Sequence, residues 1–258
     1  MRVLAGGCRV YSAEDGQIST LGNWTARIVI CQTSGARRIT QTVSEYASGS
    51  SGSSPAVVNP GSEEVLYAAS GQGKCRIREF EYTLHSGIAV FVPPGAVYHI
   101  ENTGREIVHI ISSCCPEDPE RRIVNSALDG TIDRACRDDP RLLVDEELRA
   151  DIRAGQDRRF RYLVDTELGS KQITQFVGWI PPSKAPVHYH VYEEAIFILQ
   201  GHGVVHTEGA SCEFTAGSSI YFPVGVRHCV ENPGNSTIKL LGTFYPSGSP
   251  NEAYEPGD

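Results

Sequence analysis

The chain lacks the features that would place it on nucleic acid or in a membrane. Its 258 residues carry 23 lysines and arginines against 31 aspartates and glutamates, a formal charge of −8. An acidic surface repels phosphate backbones and anionic lipid. The sequence also contains no run of 18 apolar residues, the stretch that a helix needs to cross a bilayer. We therefore expect neither nucleic acid nor a membrane as a partner.

A cysteine framework is missing too. The eight cysteines include no CxxC pair, the spacing from which structural zinc sites are commonly built. The N-terminus shows no recognisable secretory signal, and disulfides are rare in the cytosol. We therefore predict reduced thiols buried in strands, and a cytoplasmic protein.

One block of the chain occurs twice, at an offset of 130 residues. A shared offset over many turn residues indicates two copies of one supersecondary unit. The matching pairs are Glu64 and Glu194, Gly71 and Gly201, Gly73 and Gly203, Gly87 and Gly217, Pro93 and Pro223, Gly95 and Gly225, Asn102 and Asn232, and Pro116 and Pro246.

Short strands separated by Gly and Pro turns dominate both copies, which predicts an all-β fold. We expect two tandem barrels, one over residues 1–116 and one over residues 159–258. The apolar and charged composition, 40% and 21%, is that of a globular chain.

The stretch between the copies, residues 117–158, is predicted as a mostly helical linker. Asp139 can cap a helix, Pro140 fits its first turn, and Gly155 follows its last turn. These signals predict a helix over Arg141–Ala154.

Potential metal ligands occur only in the second copy of the block. His188 and His190 are two residues apart on a predicted strand and therefore project to the same side. Glu194 follows with the same parity, and His228 follows a Pro-x-Gly turn. Three neutral imidazoles and one carboxylate suit a divalent first-row metal and are too nitrogen-rich for calcium. We predict one metal ion, with Fe(II) or Mn(II) favoured and Ni, Cu or Zn as alternatives; no other catalytic residue is identifiable.

These two segments resemble the two motifs of the cupin superfamily, G(x)5HxH(x)3–4E(x)6G and G(x)5PxG(x)2H(x)3N. Every spacing fits, and the one departure is Pro182 in the position of the leading glycine. The matching residues are His188, His190, Glu194 and Gly201, followed by Gly217, Pro223, Gly225, His228 and Asn232. The resemblance implies a bicupin with two double-stranded β-helix (jelly-roll) barrels and a metal inside the C-terminal one.

The first copy keeps Glu64 but lacks the histidines. Val58, Pro60 and Tyr98 stand in their places, and His99 is one position out of phase, so that it faces the other side of its strand unless a bulge intervenes. We expect this barrel to be structural, dimerising, or a pocket without metal.

Some neighbouring residues are weaker candidates for the site. The segment Trp179–Pro186 could form a lid, because it leads directly into the ligand strand. Glu193, the nearest additional carboxylate, should face outward. Four further residues are candidates for the cavity lining: Gln175, Phe197, Tyr221 and Arg227.

The leading functional hypothesis is a metal-dependent enzyme, an oxidoreductase of the dioxygenase type, acting on a small organic molecule. Four protein ligands on an octahedral ion leave room for substrate and dioxygen. One alternative is a non-redox hydrolase, isomerase or lyase, since the layout resembles that of ureidoglycine aminohydrolases. Another is a non-catalytic small-molecule-binding cupin. A homodimer is a further expectation, because β-barrels commonly associate through sheet faces and edge strands.

Overall fold

The structure of the protein, a computed structural model, describes residues 1–49, 54–77, 80–124, 142–154 and 157–251. Within these ranges the chain forms antiparallel strands joined by tight turns. The strands of the first half are β1 (Arg2–Val3), β2 (Arg9–Tyr11), β3 (Gln17–Leu21), β4 (Trp24–Ile30), β5 (Thr40–Tyr46), β6 (Ala56–Val58), β7 (Glu63–Ser70), β8 (Gly73–Ile77), β9 (Phe80–Leu84), β10 (Ile88–Val92), β11 (Val97–Asn102), β12 (Val108–Cys115) and β13 (Arg122–Val124). Those of the second half are β14 (Leu143–Asp145), β15 (Ile152–Ala154), β16 (Arg158–Val164), β17 (Thr174–Ile180), β18 (Ser183–Lys184), β19 (Glu193–Gln200), β20 (His202–Thr207), β21 (Ala210–Thr215), β22 (Ser219–Phe222), β23 (His228–Asn232) and β24 (Ile238–Tyr245).

These strands build four sheets, two for each barrel. The N-terminal barrel has a seven-stranded sheet, β14-β10-β7-β12-β5-β4-β3, and a five-stranded sheet, β13-β6-β11-β8-β9. The C-terminal barrel has an eight-stranded sheet, β1-β2-β22-β19-β24-β17-β16-β15, and a four-stranded sheet, β18-β23-β20-β21. The all-β architecture with tandem barrels thus agrees with the strand prediction.

The shared turn residues adopt the same backbone conformation or make the same contacts in both copies. Gly71 and Gly201 end β7 and β19 with φ of 83° and 93°, a region that residues with a Cβ rarely adopt. A Cβ on Gly71 would also lie 2.5 Å from the carbonyl oxygen of Ile107. Asn102 and Asn232 each donate two side-chain hydrogen bonds to backbone carbonyls near the end of β11 and β23. The repeat read from the sequence is therefore a repeat of turn geometry.

The barrels exchange edge strands. β2, which precedes the strands of the N-terminal barrel, pairs with β22 through Arg9–Tyr11 and Ser219–Tyr221. β14, which precedes the strands of the C-terminal barrel, pairs with β10 in the N-terminal barrel. The C-terminal barrel therefore completes a sheet with a strand from the predicted N-terminal barrel, and the N-terminal barrel completes one with a strand from the predicted linker.

The predicted helical linker is wrong for the residues that the structure describes. Residues 142–154 form β14, a 3₁₀ turn at Glu146–Leu148, and β15, and the described ranges contain no α-helix. Leu142 and Val144 are both buried, so that the apolar pattern here has the period of two of a strand. Pairing with β10 satisfies the backbone of this segment, which outweighs its weak helical signals. Residues 125–141, which include Asp139 and Pro140, lie outside the described ranges.

A reciprocal pair of glutamates joins the two barrels. Oε1 of Glu63 accepts a hydrogen bond from the backbone N–H of Lys171 at 2.8 Å, in the loop before β17. Oε2 of Glu193 accepts one from the backbone N–H of Arg38 at 3.1 Å, in the loop before β5, and another from the Tyr221 hydroxyl at 3.0 Å. The expectation that Glu193 points to the outside of its barrel is right, but the carboxylate is buried in the interface rather than in water.

The seven described cysteines are buried and form no disulfide with one another, as predicted for reduced thiols. Cys136 lies outside the described residues. Over the same ranges, no helix is long and apolar enough to cross a membrane.

Candidate metal centre

The backbone brings two of the histidines together directly. His188 and His228 form a two-way antiparallel bridge, in which each N–H donates to the carbonyl of the other at 3.0 and 2.8 Å. The turn before β23 fixes this arrangement: Gly225 has φ of 76°, and the Val226 N–H donates to the Pro223 carbonyl at 3.2 Å. That is a type II turn, which favours glycine at its third position. The Pro-x-Gly spacing therefore places His228 opposite His188.

His190 and Glu194 complete the cluster. Ligand atoms of the three histidines all lie within 4.8 Å of one another. Oε2 of Glu194 lies 3.8 Å from Nε2 of His190 and 3.5 Å from Nε2 of His228. Ligand atoms bound to one octahedral ion at about 2.1 Å lie about 3 to 4 Å apart, which these carboxylate–imidazole distances match. The structure thus brings all four predicted ligands to one place.

The hydrogen bonds of the site leave its ligand atoms facing the centre. Nδ1 of His188 lies 3.0 Å from the Pro186 carbonyl and Nδ1 of His228 lies 2.8 Å from the Val226 carbonyl. Each Nδ1–H therefore donates to the backbone, which leaves Nε2 with a lone pair. Oε2 of Glu194 is buried and has no hydrogen-bond partner among the described residues, since 3.5 Å is too long for a well-formed bond. A buried carboxylate oxygen without a hydrogen-bond partner, beside two imidazole nitrogens, fits a divalent cation.

Protonation of the site also suits a cation. Burial, and then the neighbouring His228, lower the pKa of His188 to about 4. Burial raises the pKa of the Glu194 carboxyl. The surrounding imidazoles, His228 foremost, lower it by a larger amount, so that the pKa lies below its ordinary value. Near neutral pH His188 is a neutral ligand and Glu194 is an ionised one.

A cavity of about 520 Å³ opens over the cluster. Its inner wall is formed by aromatic and branched side chains, namely Phe160, Phe176, Ile180, Ile196, Val230, Leu240 and Phe244. The segment Trp179–Pro186, predicted as a lid, contributes five lining residues. The Tyr162 hydroxyl donates to Oγ of Ser249 at 2.7 Å and so positions the C-terminal segment. The next two residues, Pro250 and Asn251, also line the cavity.

Four predicted lining residues do not contribute to this cavity: Gln175, Phe197, Tyr221 and Arg227. The pleat of β19 explains the difference, because Glu194 and Ile196 face the cavity while Glu193 and Phe197 face the other barrel. The same alternation in β22 turns Tyr221 toward the interface. Arg227 is exposed.

The N-terminal barrel holds a guanidinium at the corresponding place. Glu64 is fully buried, and its Oε2 accepts hydrogen bonds from Nη1 of Arg121 at 3.0 Å and from Nδ2 of Asn59 at 2.6 Å. Nη2 of Arg121 lies 3.4 Å from the Tyr98 hydroxyl. Burial alone would lower the pKa of Arg121, but Glu64 raises it well above its usual value. β11 has no register shift, so Tyr98 and not His99 faces inward, as predicted from parity.

Arg121 was missed in the sequence because it lies beyond Pro116, in the stretch assigned to the linker. Continuing the repeat past Pro116 and Pro246 would have paired Arg121 with Asn251, which lines the C-terminal cavity. Arg158, another lining residue, was missed because it is the last residue of the stretch assigned to the linker, whereas the structure begins β16 with it.

The comparisons with known proteins agree with this architecture. The Cupin domain family matches residues 43–114 and again residues 176–244, more than half of the chain. This protein therefore belongs to the cupin family and carries two cupin domains.

Relatives in sequence match only part of the chain. An oxalate-binding protein of Thermotoga maritima is 34% identical over 65 residues, which cover 25% of this chain and 54% of that protein. A mannose-1-phosphate guanylyltransferase of Salmonella montevideo is 41% identical over 54 residues, 21% of this chain and 11% of that protein. Including two uncharacterized proteins, the matches span between 11% and 61% of the length of these relatives.

Solved structures resemble nearly the whole chain. Protein Ylba from E. coli superimposes with a TM-score of 0.72 at 16% identity, covering 95% of this chain and 93% of that one. Oxalate decarboxylase from Bacillus subtilis gives 0.72 at 14% identity, covering 92% and 76%. At such identities the likeness establishes the fold alone.

Proposed function

We propose that the protein is a metal-dependent enzyme that converts a small organic molecule in its C-terminal barrel, with dioxygen as co-substrate. The observation that carries the proposal is the cluster of His188, His190, His228 and Glu194 at the base of an apolar cavity. A bound Fe(II) or Mn(II) ion would supply Lewis acidity and open coordination places for substrate and dioxygen. Mn(II) gains support from a structural neighbour, the oxalate decarboxylase of Bacillus subtilis, which has Mn(II) centres.

The roles of the chain's own residues follow from their surroundings. The backbone hydrogen bonds of His188 and His228 hold both rings in the tautomer that offers Nε2. The packed aromatic wall excludes water and accepts the apolar part of a substrate. The described lining contains few ionisable side chains besides the ligands: Asp157, Arg158, Arg159 and Lys184. Of these, Asp157 and Lys184 could transfer a proton, but Lys184 is already paired with Glu231, which favours chemistry that needs no separate acid and base.

Oxygen consumption tests this proposal. The protein is loaded with Fe(II) or with Mn(II) and supplied with a panel of small organic acids while dissolved oxygen is recorded. We expect oxygen uptake that matches product formation and is lost in His190→Ala. Turnover at an equal rate under strict anaerobiosis would refute oxygenase chemistry.

The second candidate is non-redox chemistry on the same site, by a hydrolase, isomerase or lyase. It is favoured by the likeness to oxalate decarboxylase and by a bicupin layout that resembles that of ureidoglycine aminohydrolases in architecture, with a metal-bearing C-terminal barrel and an N-terminal barrel without the ligand set. Activity supported by redox-inert Zn(II), unchanged when oxygen is removed, identifies this class. A pure binding role, suggested by the oxalate-binding relative, predicts ligand affinity without turnover with any metal.

We further propose that the protein works in the cytoplasm, since the described cysteines are free and burial raises the thiol pKa of several of them, for example that of Cys8 to about 12. Thiols held in this protonated form are unreactive. A non-reducing gel of protein fixed rapidly in cells tests for disulfides.

A further inference from the structure

An arginine faces the interior of the metal-bearing barrel. Residues of β16 alternate between two faces, and Arg158 shares its face with Phe160, a buried residue of the cavity wall. Arg159 and Arg161 lie on the opposite face, over the Trp179 ring. Arg158 itself lines the cavity above the histidine cluster.

Arg158 forms no close ion pair within the described structure, and the charge of its neighbour Asp157 only partly offsets the effect of burial on its pKa. No described carboxylate lies within 4.0 Å of its guanidinium, whereas the other two lining cations are paired. Arg159 lies 2.9 Å from Asp151, and Lys184 lies 3.1 Å from Glu231. Burial lowers the pKa of Arg158, as expected for a cation moved out of water. A guanidinium stays protonated in proteins, so this charge remains in the cavity.

One hydrogen bond orients the Arg158 guanidinium, and its other N–H donors stay available. Nη2 of Arg158 donates to the Val230 carbonyl at 2.6 Å. A guanidinium has five N–H donors, and this is the one hydrogen bond that the described residues provide for it. Val230 is two residues beyond His228 on β23, and strands rise 3.2–3.4 Å per residue, so the anchor lies about 6 to 7 Å along the strand from the metal ligand.

We propose that Arg158 binds the carboxylate of the substrate, and that the site therefore takes an organic acid with an apolar body. The carboxylate is held a few bonds from the group that meets the metal, and the body fills the wall formed by residues such as Phe160 and Phe244. Bidentate geometry between guanidinium and carboxylate fixes the substrate's orientation. The proposal rests on the proposed function, since it gives the substrate class of that same site.

The test compares an acid with its neutral amide. Affinities of 3-phenylpropanoate and 3-phenylpropanamide are measured by isothermal titration calorimetry on the metal-loaded protein, and on protein depleted of metal with EDTA. The variants are Arg158→Gln and Arg158→Lys, with Arg161→Gln, a residue of β16 outside the cavity, as the matched control. Metal content and the far-UV spectrum are recorded for each variant.

We expect wild type to prefer the acid. Charge-assisted hydrogen bonds predict that Arg158→Gln weakens acid binding roughly 10- to 100-fold, with amide affinity unchanged. Arg158→Lys should lose less acid affinity, because lysine keeps the positive charge without the bidentate geometry of a guanidinium. It also provides the test if Arg158→Gln fails to fold. Arg161→Gln should stay within about threefold of wild type, since Arg161 lies outside the cavity lining and its charge is already paired with Asp151.

Acid affinity that is equal in wild type, Arg158→Gln and Arg158→Lys overturns the assignment. So does wild-type protein that binds acid and amide alike, or that binds neither at millimolar concentration. Each of these results with a normal metal content leaves the metal-dependent function standing. If wild-type protein binds no metal but still prefers the acid, the assignment of Arg158 holds and the metal-dependent function is refuted.

Discussion

Replacing Arg121 by methionine should destabilise the N-terminal barrel strongly, because Arg121 holds the place that a metal would take in the other barrel. The substitution keeps an apolar chain of similar length but removes the guanidinium. Glu64 is then left with the single hydrogen bond from Asn59, and its Oε1 already has no partner among the described residues. A fully buried carboxylate without a counter-charge is costly.

The cost follows from the burial of the two partners. Breaking a buried ion pair by removing one partner costs about 3 to 5 kcal/mol. The Arg121 side chain keeps 27% of its surface exposed while that of Glu64 keeps none. Water can therefore reach part of the vacated space, and we take the lower end, about 3 kcal/mol. For a chain of this size that corresponds to a fall in melting temperature of about 6 to 12 °C.

Urea denaturation followed by tryptophan fluorescence measures the change, because Trp24 belongs to the N-terminal barrel and Trp179 to the C-terminal one. The matched control is Arg122→Met, an exposed neighbour, which should change stability by less than about 0.5 kcal/mol. Arg121→Met combined with Glu64→Gln should recover at least half of the loss, since the unpaired charge is gone. If Arg121→Met unfolds within about 0.5 kcal/mol of wild type, or if the second substitution recovers nothing, the ion pair does not stabilise this barrel.

Three further expectations concern the interface, the metal and the assembly. Glu193→Gln should cost about 1.5 to 3 kcal/mol, because it removes hydrogen bonds to a charged acceptor between the barrels, and an unchanged urea midpoint would contradict this. His190→Ala should lower the metal content measured by elemental analysis to a small fraction of wild type, whereas His99→Ala, outside the cluster, should leave it unchanged; equal losses would argue against the assigned ligands. Light scattering should give a homodimer of about twice 28.1 kDa, and Leu21→Lys should dissociate it if the exposed edge strand Gln17–Leu21 forms the contact. A monomer in wild type would contradict the dimer.

The ligand cluster was readable from the sequence because each part of it is encoded locally. The spacing of His188 and His190 uses the strand period of two, and the Pro-x-Gly turn places His228 through the φ that only glycine adopts readily. The predicted strands of both copies also correspond to observed ones. The helix over Arg141–Ala154 failed because its capping signals are weak and local, while pairing with β10 joins segments more than fifty residues apart.

Other features depended on contacts between distant segments. Parity alone indicated that Glu193 leaves its own barrel, but only the packing of the two barrels shows that it enters a buried interface. Arg121 and Arg158 both lie in the stretch predicted as the linker, so that neither could be assigned to a barrel interior in advance. The boundaries proposed at residues 116 and 158 remain a prediction, and the edge strands cross between the barrels.

By itself, then, the chain determined the repeat, the strand-rich fold and the identity of four potential ligands, because turn chemistry and side-chain alternation act over a few residues. Tertiary structure decided which barrel β2 and β14 join. It also decided that the Arg121 guanidinium pairs with Glu64 and that Arg158 faces the cavity. Those outcomes depend on which strand edges pair and which charges are desolvated together, and neither is set by near neighbours in the sequence.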